Sequence, residues 1–134
     1  MKNNEQGFTL LELLIVMGII AILAVAMSVA FLGSSKTARD TARKADLRSI
    51  SNNAEQYFKD HGGYPAALTD LTAGGYMSKL PTDPKTKANY TFAVTPVGCA
   101  AGACTTYTVT TTLENTNDKQ GDPTTHAYTV QNSQ

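Results

Sequence analysis

The chain has 134 residues, enough for one modest domain and too few for two comfortable ones. Eleven basic and eleven acidic residues cancel, so nothing global points to nucleic acid or to an acidic substrate. Apolar residues gather at one end. From Phe8 to Leu32 Glu12 is the one charged residue among 25, whereas beyond Gly33 the chain is polar and its final stretch is crowded with Thr and Asn.

The first element follows a short polar stretch, Met1 to Gly7, which carries Lys2. Residues 8–32 at a helical rise of about 1.5 Å each would reach roughly 37 Å, against a bilayer core of about 30 Å. A buried core helix is the competing reading, and it fails on size. The remaining polar residues cannot readily surround so uniformly apolar a rod. The run therefore reads as a membrane segment. An ordinary secretory signal would be cut after such a run, at Ala24-Val25-Ala26 or, less well, at Ala26-Met27-Ser28. The residues alone leave that option open. A lipoprotein is excluded, because no cysteine precedes Cys99.

Gly7, then Phe8-Thr9-Leu10-Leu11-Glu12, then a continuous apolar helix: over residues 6–26 this resembles the type IV pilin and type II secretion pseudopilin family. The resemblance implies cleavage between Gly7 and Phe8 on the cytoplasmic side by a membrane prepilin peptidase, with N-methylation of Phe8. It further implies a homopolymer built through the N-terminal helix, with an inner-membrane assembly platform and an assembly ATPase as partners. An ionisable residue in a membrane helix costs about 2.5–3.5 kcal/mol at the centre and less near an end, and Glu12 lies one turn in. The bland reading is that it snorkels to the interface. Cleavage after Gly7 would instead create an α-amine on Phe8, a group whose ordinary pKa is about 7.7–8.0. Paired with the Phe8 amine of a neighbouring subunit, Glu12 would tolerate apolar surroundings and favour one axial offset between identical helices. That is the role the resemblance implies for Phe8 and Glu12.

From Ser34 to His61 there is neither Pro nor Gly, and Ala38, Ala42, Ala45, Ile50, Ala54, Tyr57 and Phe58 recur near helical spacing. Lys36–Asp40, Asp40–Lys44 and Arg43–Asp46 are expected as pairs along the helix surface. Gly62-Gly63 and Pro65 supply the stop. One helix from about Phe8 to Gly62, roughly 80 Å long, is predicted. Lys36, Arg39, Arg43, Lys44 and Arg48 against Asp40 and Asp46 make the flank after the apolar run basic, and the positive-inside rule would hold it in the cytoplasm. The resemblance places it outside, where these residues would meet acidic groups of neighbouring subunits. Many family members have Pro near position 29; Val29 stands there.

Leu68 and Leu71 suggest a short helical or turn segment. Tyr64-Pro65 and Leu80-Pro81-Thr82-Asp83-Pro84 look like segments of the major pseudopilins and of some pilins, and read as a connector stiffened by proline. Alternation then marks three antiparallel strands around Tyr90, Phe92 and Val94, then Tyr107, Val109, Thr111 and Leu113, then Tyr128 and Val130. Cys99 and Cys104 fall in the loop joining the first two. No His or acid adjoins them and the spacing is not Cys-x-x-Cys, which argues against zinc and thioredoxin-like redox chemistry. A disulfide pinning the hairpin tip in an oxidising compartment is favoured over two free thiols.

No cofactor is expected. Calcium in the Glu114–Asp122 loop is the one exception to weigh, since related pseudopilins bind calcium nearby. The EF-hand spacing is absent and Lys119 adds a cation, so a solvated loop is the preferred reading. Asn89-Tyr90-Thr91 fits a glycosylation sequon, a pattern that occurs readily by chance. His61 and His126 read as surface residues without a nucleophile motif, so no enzyme is expected. The fold class is α+β, divided into a 1–7 leader, an 8–32 apolar helix half, a 33–62 amphipathic half and a 63–134 β-rich head.

Three functions compete. The preferred one is a subunit of a type IV pilus-like filament, anchored in the cytoplasmic membrane as precursor and then extracytoplasmic. A sibling is the major pseudopilin of a secretion or DNA-uptake machine. A third, from another class, is a membrane-anchored binding module that never polymerises and keeps its leader.

Overall fold

The computed structural model describes residues 8–132, without the side chains of 28–32; the expected leader, with Lys2 and Gly7, lies outside the described residues. Helix α1 is one helix, Leu10–His61. Thr9 stands at its N-cap, its Oγ1 accepting from the Glu12 N–H at 3.2 Å while the Glu12 carboxylate accepts from the Thr9 N–H at 3.1 Å. This reciprocal arrangement satisfies two otherwise orphaned donors. At the other end Gly62 takes a left-handed φ of 76° and its N–H donates to the Phe58 carbonyl. Only glycine enters that conformation without steric cost.

The chain divides into two compact units, the first ending at Ser35 and the second starting at Lys36. In the first, Leu10–Met27 is apolar enough to cross a membrane, with mean hydropathy 2.8, and every one of its side chains is exposed.

In the second unit a short helix α2, Leu68–Ala73, precedes strands β1, Thr91–Thr95; β2, Thr106–Thr112; and β3, Ala127–Gln131. The sheet is antiparallel in the order β1-β2-β3, with Phe92 opposite Val109, Val94 opposite Tyr107, and Val109 opposite Val130. The predicted alternation holds. Tyr90, Tyr107, Val109 and Leu113 are buried, and Phe92, Val94, Tyr128 and Val130 pack partly buried against the core. Leu47, Ile50, Ala54 and Tyr57 of α1 form the other wall, closed by Tyr64, Leu68 and Leu71. Fully burying a side chain such as Leu47 or Ile50 contributes about 1.5–3 kcal/mol.

The expected helix stripe is half right. Ile50, Ala54 and Tyr57 are buried, but Ala38, Ala42 and Ala45 are exposed, and Asp40, Arg43 and Leu47 take the core-facing positions instead. Three alanines offer little apolar area. A fully paired Asp40–Arg43 couple brings head segments onto the helix, so the charged residues occupy the stripe.

The disulfide Cys99–Cys104 is formed, with Cα atoms 5.3 Å apart. It shapes more than a hairpin tip. Tyr64 donates its N–H to the Cys104 carbonyl at 2.8 Å, and Gly102 donates to the Tyr64 carbonyl at 3.0 Å. A Cβ added to Gly63 would overlap the Gly102 carbonyl. The bridged loop therefore docks on the segment that leaves α1.

Candidate functional site

Two sets of residues carry functional information, one in each unit. The first is the start of α1. Phe8 is 89% exposed, and the carboxylate of Glu12 is held at the helix N-terminus by the Thr9 N–H and by Thr9 Oγ1, at 3.1 and 3.0 Å. A carboxylate there complements the positive end of the helix dipole. The Thr-x-x-Glu spacing of a capping box is itself legible in the sequence, inside the motif that marks Glu12 as a partner for another chain. Beyond it, one turn after another of Leu, Ile, Val and Met side chains faces outward through Met27. A surface this large and apolar marks a membrane or protein contact.

The second set is an ion network in the head-bearing unit. The Arg43 guanidinium, 3% exposed, meets three carboxylates: Asp40 Oδ1 at 2.6 Å, Asp83 Oδ2 at 2.6 Å and Glu114 Oε1 at 2.8 Å. Arg39 grips Glu114 with two parallel bonds of 2.8 Å, and Lys85 reaches it at 3.3 Å. Asp40 also accepts from the backbone N–H groups of Glu114 and Asn115. Lys44 bonds Asp118 at 2.6 Å and lies over the Tyr128 ring. The hydrogen bond from Arg43, and then those from the Thr86 and Lys85 backbone, hold Asp83 well below the ordinary carboxylate range against its burial. Arg39, then Arg43 and Lys85, do the same for Glu114. Arg43 is raised in turn, chiefly by its bond to Asp83.

This network corrects two expectations. The surface pairs Lys36–Asp40, Asp40–Lys44 and Arg43–Asp46 give way to Arg43–Asp40, Lys44–Asp118 and a 2.6 Å bond from the Tyr90 hydroxyl to Asp46. Arg39, Arg43 and Lys44 need no neighbouring subunit for their charge, since this chain's own head supplies it. Asp83 in the Leu-Pro-Thr-Asp-Pro segment is therefore more than part of a stiff connector. In the Glu114–Asp122 loop the carboxylates face Arg39, Arg43, Lys44 and Lys85, or, for Asp122, the N–H groups of Thr124 and Thr125. No group of three metal-ligating side chains converges among the described residues.

Three further carboxyl–hydroxyl contacts run along α1. Asp46, Glu55 and Asp60 receive the hydroxyls of Tyr90, Tyr64 and Tyr76. Burial followed by Glu55 pushes Tyr64 up to about 12, and Asp60 followed by burial does the same for Tyr76, so both remain donors. His61 stacks on Tyr57 with ring centres 4.0 Å apart.

A capped apolar helix with its side chains outward, together with a small antiparallel sheet packed on a polar helix stretch, defines a pilin-like protein. Residues 2–28 match the prokaryotic N-terminal methylation motif. The chain carries that motif and is homologous to type IV pilins and type II secretion pseudopilins. It is 38% identical over 92 residues to the type IV wide pilus major component PilA4 of Thermus thermophilus; the match covers 69% of this chain and 65% of that protein. It is 28% identical over 99 residues to the type II secretion system core protein G of Pseudomonas aeruginosa, covering 62% of this chain and 70% of the relative. The Vibrio cholerae core protein G is 30% identical over 97 residues, covering 61% and 66%. No solved structure matches the chain.

Proposed function

We propose that the chain is a structural subunit of a type IV pilus-like filament, cut between Gly7 and Phe8, methylated on Phe8 and polymerised through the first part of α1. The observation that carries this reading is the run Leu10–Met27, apolar and exposed throughout, with Glu12 as its single carboxylate. Such a surface is unstable in water and calls for membrane first and copies of itself afterwards. Cleavage would add an amine next to Thr9, and a neighbour's Phe8 amine would then compete with the Thr9 donors for Glu12. The Cys99–Cys104 bridge supports a head exposed to an oxidising compartment. The apolar half would serve as anchor in the precursor and as filament core in the polymer, with the 63–134 head outside. The role is structural, and prepilin peptidase and the assembly machinery are its partners.

The test is mass spectrometry of filaments sheared from cells. A mature N-terminus at methylated Phe8 is expected. Glu12→Ala should still insert in the membrane but give far fewer or disordered filaments. A mature chain that starts at Met1 or after Ala26, or an undiminished filament yield in Glu12→Ala, would overturn the reading.

A second reading, the major pseudopilin of a type II secretion machine, is favoured by the core protein G relatives and by Leu80-Pro81-Thr82-Asp83-Pro84. Under that reading, deletion of the gene abolishes secretion of a folded exoprotein and leaves surface fibres untouched.

A further inference from the structure

The two outer edges of the head sheet are unguarded. Neither β1 nor β3 contains a charge or a proline, two of the devices by which sheet edges discourage pairing with another chain. Where their free backbone groups point follows from the ladder. The Leu113 N–H donates to the His126 carbonyl, so the β2–β3 bonds fall on Thr111↔Tyr128 and Val109↔Val130. Thr129 and Gln131 then direct their N–H and C=O groups outward. On β2 the alternate residues serve β1, which leaves Phe92 and Val94 with outward backbone groups. Among the described residues, backbone bonds on these outer edges occur at their beginnings, where Asp83 meets Ala88 and Asp122 meets Ala127.

Direction decides what fits. Both edge strands are antiparallel to β2 and hence parallel to each other. Copies related by a screw along a polar filament keep the axial sense of their strands, so a repeated contact between β3 of one copy and β1 of the next is parallel. Pairing β1 with β1, or β3 with β3, needs a twofold axis, which closes a dimer and builds no filament. The side-chain faces agree with the parallel match. Ala93 and Thr129 are both exposed on the solvent face. With Thr129 opposite Ala93, the Thr129 N–H reaches the Phe92 carbonyl and the Val94 N–H reaches the Thr129 carbonyl, while the core faces of the two sheets stay on one side. A shift by one residue would turn Phe92 and Val94 toward the wrong face.

We propose that the outer edges of β3 and β1 form a head-to-head lateral contact between successive copies of this chain, in parallel register with Thr129 opposite Ala93. The proposal rests on the filament reading and adds a second bond to the one between helices. In the test, full-length chains carrying Ala93→Cys and, separately, Thr129→Cys are co-expressed with different tags, and sheared filaments are treated with a short thiol cross-linker. A cross-linked pair containing both tags is expected. Filaments of normal yield without that pair, or Ala93→Cys cross-linking to itself, would overturn the proposal. Thr129→Pro provides an independent check, since it removes an outward N–H and spares the backbone bonds to β2, losing on that side the exposed hydroxyl contact between Thr129 and Thr110 at 3.2 Å. It should leave head unfolding nearly unchanged and raise the chain concentration needed for assembly roughly two- to tenfold, the equivalent of one net hydrogen bond. Unchanged assembly would overturn it. If the unsubstituted chain makes no filaments, the parent reading falls and takes this one with it; filaments lacking the mixed pair refute this one alone.

Discussion

Between Leu10 and Met27 the chain turns leucine, isoleucine and valine outward, while in the second unit it buries Asp40 and Arg43 at 1% and 2% exposure. Each region departs from the usual distribution of residue types, the first along its whole length and the second at one charged couple beside an apolar core. In the first, apolar surface is left for a medium or a partner that the isolated chain lacks. In the second, charge is tolerated inside because each group has several partners, and no buried side-chain N or O lacks one among the described residues. Burial is thus decided by what can satisfy a side chain, and hydropathy is only one part of that.

The sharpest way to break the contrast is Arg43→Ala. Three carboxylates would lose their common cation, and head stability should fall by about 3–5 kcal/mol, read from denaturant midpoints. A paired experiment sharpens it. Leu47→Ala, at 0% exposure, should cost about 2–5 kcal/mol. Leu14→Ala, the same change in the exposed run, should alter head unfolding by less than about 0.5 kcal/mol while weakening membrane partition. Equal effects of the two would erase the distinction between the regions. Gly63→Ala forces a methyl into the Gly102 carbonyl and should cost about 1–3 kcal/mol, with the first proteolytic cuts near residue 62. The smallest effect is expected from acid. Asp83 and Glu114 are depressed in the fold, so the unfolded chain binds protons first as pH falls. Their contribution is complete above about pH 4.3 and declines below it, toward their lower folded values. The melting temperature should drop through that window, and Glu114→Gln should flatten the slope; an identical slope in the variant would exclude the network as its source.

The architecture was largely legible. A long Gly-free and Pro-free stretch ending at Gly62, and period-two alternation around Tyr90, Tyr107 and Tyr128, state helix and strands through local sterics and burial alone. The N-terminal motif was legible for the same reason: it is contiguous. The ion network was not. Arg43 lies 40 positions from Asp83 and Arg39 lies 75 from Glu114, and no local pattern encodes which loop will fold back on which turn of α1. The clue available was negative. Charges recurring at Asp40 and Arg43, where a helix stripe should continue upward from Leu47, asked for partners from elsewhere in the chain.

The network also gives the basic flank of α1 a history. Lys36, Arg39, Arg43, Lys44 and Arg48 face only Asp40 and Asp46 along the helix, until Asp83, Glu114 and Asp118 arrive with the folded head. Before the head folds, this stretch would carry an excess of positive charge, and the folded head offsets it at Arg39, Arg43 and Lys44. Any surface that reads charge on this stretch, whether lipid headgroups or another protein, meets a cationic ligand early and a nearly neutral one later, with head folding as the event that divides the two.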